Sequence, residues 1–377
     1  VKIHMEQGRS LETFEKALIT LEQDQEITGI MIFACDADQW TPDQLDPLLT
    51  RCRKPIWGGI FPEIIFGEQK LATGTLFIGF TQPVKTVIIE DLDEEPASIR
   101  QAIERGFGRE YTLEQTMFVF ADGLSHGIER LRDSLFQTLG SMPNYVGGGA
   151  GSLSFSQSPC IFTSRGLQEN AAVLTLATQK SGIGVAHGWQ QVSKPHKITE
   201  SKGTHIISID WVPAFDIYQE IVEALSGKRF QDHDFFHIAK AYPLGIAYQD
   251  LEMFVRDPIG ISAENHLVCV GDIPTNSIVY VLHGNTESLL AGAKETVETA
   301  TKAFELATQK QIQEASVTLV IDCISRALFW GKAFSTELNA IKGAPKVIGA
   351  LTLGEFANIR RDYLAFHNKT IMTSFLE

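Results

Sequence analysis

One arrangement recurs three times along this chain, and it limits the fold more than composition does. Each occurrence is an apolar strand that stops at polar residues, a helix, a second strand with a glycine-bearing turn, and further strands that read as antiparallel. The first begins with a strand at 29–34 and the polar end Cys35-Asp36-Ala37-Asp38. Thr41 then caps a helix that opens on Pro42 and runs to about Cys52, before a strand at 55–57 and Gly58-Gly59. Strands near 63–66, 72–80 and 85–90 complete it. The second has a strand at 117–120, Asp122-Gly123, and a helix over 125–139 with Ile128, Leu131, Leu135 and Leu139 on one face. A glycine run at 147–151 and strands at 159–163, 171–177 and 183–189 follow. In the third, a strand at 317–321 ends in Asp322-Cys323-Ile324-Ser325-Arg326. A helix near 332–341, a strand at 346–351, Gly354-Glu355 and a strand at 363–374 close the chain.

Between the second and third occurrences lie a predicted helix at 213–225, a strand-rich stretch at 243–283 and a helix at 287–306. The segment 226–234 reads as a loop joining two halves that close about it. The expected fold class is α/β (α+β): two fused domains of mixed β-sheets with flanking helices, built from repeated strand-helix-strand-strand units. At 377 residues the chain exceeds one ordinary core.

Composition excludes several classes. With 44% apolar and 21% charged residues the chain is not disordered. A net charge of −14, from 32 basic and 46 acidic residues, argues against a nucleic-acid partner. The sequence has no apolar run of about 18 residues, so no membrane span is expected. Residues 1–10 carry no secretory pattern. Five widely spaced cysteines without a Cys-x-x-Cys pair fit neither a disulfide framework nor a zinc ribbon, and a reducing cytoplasm is the simplest compartment.

Certain motifs resemble a known family. Gly147-Gly148-Gly149-Ala150-Gly151, the end Gly184-Val185-Ala186-His187-Gly188-Trp189, and the 199–210 stretch leading to Pro213-Ala214-Phe215 look like the N-terminal domain of the FIST (F-box and intracellular signal transduction) family. Asp322-Cys323-Ile324-Ser325-Arg326, Gly349 through Gly354-Glu355, and His367-Asn368-Lys369-Thr370 look like its C-terminal domain. The resemblance implies an N-terminal domain at 1–205 and a C-terminal domain at 206–377. It implies a sensory protein that binds a small molecule, such as an amino acid, and signals to a separate histidine kinase or diguanylate cyclase. It also implies an alternative, a nitric-oxide sensor built on non-covalent haem b.

The residues offer a site of their own. Gly148, Gly149 and Gly151 can form a nest of backbone N–H groups for an anion, or simply permit close packing. Arg326 has the planar fork that clamps a carboxylate; the competing role is an ion pair with Asp322 or Glu355. Asp322 and Glu355 can receive a ligand amine. Cys323 is a nucleophile only if a cation lowers its thiol, and otherwise a small apolar filler. No catalytic triad or nucleophile elbow accompanies them, which weighs against an enzyme acting on a small polar substrate. His187, beside Trp189, is the candidate axial ligand for haem. His233 and His237 have helical spacing but no further partner for a metal.

Overall fold

The computed structural model describes residues 1–108, 115–248, 252–341, 345–359 and 363–377. The three predicted units are present as three interlocked repeats. In each, two parallel strands flank a helical connection: Gly29–Cys35 with Ile56–Phe61, Thr116–Asp122 with Asn144–Ala150, and Val317–Cys323 with Val347–Thr352. The first strand of every pair is buried along its whole length. That burial is why these segments read as near-continuous apolar runs instead of alternating ones. On its other edge each takes an antiparallel strand, Thr75–Phe80, Ala172–Ala177 or Ile371–Leu376. Those pair in turn with Lys2–Glu6, Val84–Ile89 and Ser181–Ala186.

The hairpin after each parallel pair leaves its own repeat. Glu63–Phe66 and Gln69–Leu71 extend the third repeat's sheet, Ile161–Thr163 and Gly166–Gln168 the first, and Glu355–Ile359 and Tyr363–His367 the second. The result is three six-stranded sheets joined in a cycle. Strands from either side of position 205 therefore share sheets, as Asn144–Ala150 and Glu355–Ile359 do. The inner faces meet around Phe33, Phe61 and Phe120, whose ring centroids lie 5.2–5.9 Å apart. Such aromatic contacts add about 0.5–1.5 kcal/mol each to the area they bury.

One glycine contact marks the repeat. Gly58, Gly147 and Gly349 sit beside Ile32, Val119 and Val320 in the parallel ladders. A Cβ on any of them would stand 1.8–1.9 Å from the carbonyl oxygen of that partner. Only glycine lets the two backbones approach so closely.

Local signals behave as expected. Pro42 opens the helix Pro42–Leu49, and the Gln44 side chain accepts the Thr41 N–H at 3.3 Å. The helix Ile128–Leu139 buries Ile128, Leu131, Leu135 and Leu139, each side chain contributing roughly 1.5–3 kcal/mol.

Residues 187–285 form an insertion between the strand Ser181–Ala186 and the helix Thr286–Thr308 of the third repeat. Its strands make a nine-stranded sheet over a separate core that includes Ile198, Tyr218, Leu244 and Val281. The segment 226–234 does not join two halves. It connects the helices Ala214–Ser226 and Phe235–Ala239 inside this unit, and Phe230 pins it to the unit's core.

Candidate functional site

The third repeat's strand end is where polar groups collect. Arg326, in the helix Ile324–Trp330, is fully buried. Its guanidinium pairs with Glu337 and lies 3.3 Å from Asp322 Oδ1. It also donates to the backbone carbonyls of His187, Leu289 and Lys369. Both terminal nitrogens are spent on protein acceptors, and the buried Nε faces Asp322. The structure thus gives Arg326 the ion-pair role, with Asp322 as foreseen and Glu337 as a partner that sequence reasoning missed. Burial, then the neighbouring Glu337 charge, pushes Asp322 well above the usual carboxylate range, which favours its neutral acid. Glu355 is raised too, chiefly by burial, and accepts the Thr352 hydroxyl at 3.0 Å.

Gly148 and Gly149 also lie in this interior. Gly148 pairs with Glu355, the Gly149 N–H donates to Gly354, and the Gly151 N–H donates to Ile60. These amides of Gly149 and Gly151 are spent within the fold, so the run supplies close packing and no anion nest. A Cβ on Gly149 would meet Gly123 and Leu353 at 2.8 Å.

Beyond that layer opens a cavity of about 700 Å³. Leu124 and Glu129 follow the second repeat's first strand, Cys323 and Ser325 end the third's, and Asp257 and Val268 come from the insertion. Ligands of open α/β sheets favour this position, outside the carboxyl ends of parallel strands. Of the sequence-predicted ligand residues, Cys323 alone lines it. Its thiol is pushed well up by burial and by Glu355, so it is held protonated and offers no thiolate.

The cavity's most telling group is Asn368. The residue is 1% exposed, and neither atom of its carboxamide has a hydrogen-bond partner among the described residues. Leaving a buried donor or acceptor unmade costs about 1–3 kcal/mol, and roughly nine in ten such groups are satisfied. Its neighbour Lys369 adopts a left-handed conformation, φ 53°. Lys369 Nζ lies 3.0 Å from Asp257 Oδ1, donates to the Lys240 carbonyl at 2.9 Å, and sits 5.1 Å from the Trp189 ring centroid. Asp257 also accepts the Ser325 hydroxyl. Burial raises the Asp257 carboxyl against the pull of Lys369. This brace fixes the backbone that aims Asn368.

His187 lines a different cavity, of about 830 Å³, beside the helix Thr286–Thr308. Its Nδ1 accepts the Trp189 N–H at 2.9 Å. Burial, then Arg326, brings its pKa down to about 4. His367 shares the cavity and is brought down to about 3 by burial, then by Arg256 and His187. Two neutral imidazoles suit an axial ligand, but haem also brings two carboxylates. The only charged side chain among the described lining residues is Glu295, of the same sign. The described residues do not fit haem. His233 and His237 stack at 5.3 Å, and no group of three or more metal-ligating side chains forms among the described residues. No helix among those residues is long and apolar enough to cross a membrane.

A repeated α/β scaffold with a cavity at its strand ends is an arrangement in which α/β proteins commonly hold small ligands. The FIST N domain matches residues 29–212 and the FIST C domain residues 214–358, so the chain belongs to the FIST family. That family is associated with sensory signal transduction and small-ligand binding. A comparison with curated proteins finds no match.

Proposed function

We propose that this chain is a small-molecule-binding sensory protein that holds its ligand in the strand-end cavity and signals to a separate partner, such as a histidine kinase or diguanylate cyclase. The observation that carries this reading is the buried Asn368 carboxamide, unpartnered among the described residues and facing a cavity large enough for a small molecule. The wall is largely apolar, with Leu124, Phe236, Ile324 and Phe366 among its members. Its charged groups among the described residues are Glu129, Asp257 and Asp272, so the ligand is neutral or cationic with an apolar body. An amino-acid-like ligand would present its carboxylate to Asn368, because Arg326 is enclosed by its own partners.

Both the repeats and the insertion contribute to the wall, so a ligand that contacts both favours one arrangement of the two over another. Five buried free thiols support a cytoplasmic setting. The division at 205/206 remains a proposal about the sequence only: the two family matches meet at 212 and 214, and strands from both sides interlock in space. Haem is not carried forward, since the described lining does not suit it.

A thermal-shift screen of amino acids, amines and neutral amides tests the reading. A ligand at about one hundred times its dissociation constant stabilises the wild type by roughly 2.7 kcal/mol. Asn368→Leu is expected to fold and to lose that shift. A wild-type response in Asn368→Leu would refute the assignment.

A further inference from the structure

The loop between the strands Asn144–Ala150 and Ile161–Thr163 alternates serine with other residues: Ser152-Leu153-Ser154-Phe155-Ser156-Gln157-Ser158. It is held at both ends. The Ser152 hydroxyl donates to Asp36 Oδ2 at 2.7 Å and the Gln157 carboxamide to Asp122 Oδ2 at 2.8 Å, so its anchors are the strand ends of the first and second repeats. Between the anchors, the hydrogen bonds of its backbone among the described residues stay within the loop. The Ser154 N–H donates to Ser152 Oγ, the Ser156 N–H to Ser154 Oγ and the Phe155 N–H to the Ser152 carbonyl, at 3.1–3.2 Å. A segment tied at its ends and satisfied from within can shift as a unit without breaking the ladders around it. Leu153 and Phe155 both line the strand-end cavity, yet they stand 38% and 52% exposed. Phe155 also has φ 54°, a left-handed conformation rare for a bulky residue and recurrent at ligand clamps. Of the three carboxylates lining this cavity among the described residues, Glu129 is paired with Arg256 and Asp257 with Lys369. Asp272 is exposed and has no ion-pair partner among those residues.

We propose that residues 152–157 are a strap that closes over the strand-end cavity, and that Leu153, Phe155 and Asp272 select a small amine with an aromatic body. The proposal rests on that cavity being the ligand site. Closure lays Leu153 and Phe155 on the apolar body of the ligand, which takes the two exposed side chains and the ligand out of water together. The Asp272 carboxylate, free of a cation of its own, receives the ammonium at the rim. A ligand with a carboxylate there meets like charge and is disfavoured.

The probe is 2-phenylethylamine, titrated by calorimetry and by the fluorescence of a dye on Ser156→Cys. The five native thiols are buried, so the dye reports the strap alone. The expected result is saturable binding at millimolar probe with a parallel change in the dye, both lost in Leu328→Trp, which fills the cavity rim. Phe155→Ser, at an exposed position that the fold does not need, weakens binding about tenfold by removing the apolar cover. Asp272→Asn weakens it about threefold, and by less as salt is raised. The neutral 2-phenylethanol is indifferent to Asp272→Asn but not to Phe155→Ser. Amine binding that Leu328→Trp abolishes and that neither Phe155→Ser nor Asp272→Asn alters would overturn the strap and leave the cavity reading standing. Binding that survives Leu328→Trp, or none at millimolar amine, would overturn the proposal as well, and the screen above then decides the cavity by itself.

Discussion

The first and third repeats share strand order, helix order and the glycine contact, yet their strand ends differ completely. In the first, Cys35 leads into a short turn whose groups are satisfied at once. Asp38 accepts the Gly74 N–H at 2.7 Å, and Asp36 accepts the Ser152 hydroxyl at 2.7 Å. In the third, Cys323 leads into Ser325 and Arg326, and Asp322 stands at the strand position held by Ala34 and Ala121 in the other repeats. Asp257, Arg326, Glu337, Glu355 and Lys369 are buried with it. The scaffold tolerates either ending. What distinguishes the third is the insertion, which brings Asp257 and its wall over the strand end. Burial then turns ordinary ionisable residues into a tightly coupled polar hub.

The comparison can be broken most forcefully at Arg326. Arg326→Leu leaves Glu337 and Asp322 without their cation, and urea unfolding should show a loss of about 3–5 kcal/mol. Asp38→Asn, at the first repeat's end, keeps an acceptor for Gly74 and should cost about 1 kcal/mol or less. Equal losses at the two sites would mean that the hub is no more coupled than the turn.

The shared glycine contact sharpens the likeness instead. Gly58→Ala, Gly147→Ala and Gly349→Ala should each cost about 1–3 kcal/mol or more, and by similar amounts, because each new methyl meets a backbone oxygen that cannot step aside. One tolerant position among the three would show that the repeats are not packed alike.

A smaller effect concerns pH. His187 and His367 titrate near 4 and near 3 in the folded protein, against about 6.5 when unfolded. The unfolded chain binds more protons between these values, so their contribution to stability is intact above about 6.5 and is lost as pH falls toward 4 and 3. The raised carboxyls of Asp322 and Glu355 act in the opposite sense, favouring the fold at low pH. The difference between wild type and His367→Phe isolates the histidine: the variant should lose less stability than wild type on acidification from pH 7 to 5. Parallel curves would place His367 in contact with solvent.

Much of the scaffold was legible in the sequence. Continuous apolar runs such as 29–34 and 317–321, helix faces such as Ile128 to Leu139, and glycines at the second parallel strand are all local signals, and the three repeats follow from them. The exchange of hairpins was not legible, because Glu63–Phe66 reads the same whether it pairs with its own repeat or with Val347–Thr352. Nor was the insertion, since nothing local says that Ser181–Ala186 belongs with Ile371–Leu376 far along the chain. Arg326 was found as a buried cation, but its main partner Glu337 lies on a separate turn of helix. Nothing local in the sequence marks Asn368 or His367 as facing a cavity. Their opposite facings follow from the backbone around the left-handed Lys369, which a residue string does not display.

The central claim, that the third repeat's covered strand end is where a small molecule binds, can be tested by filling the hole. Leu328 lines the cavity's rim and is 36% exposed, so Leu328→Trp should occupy the space without disturbing the core. With a ligand identified by thermal shift, calorimetric titration is expected to show binding in wild type, little or none in Leu328→Trp, and normal binding in a control at the remote, exposed Leu306. Full affinity in a folded Leu328→Trp protein would contradict the account.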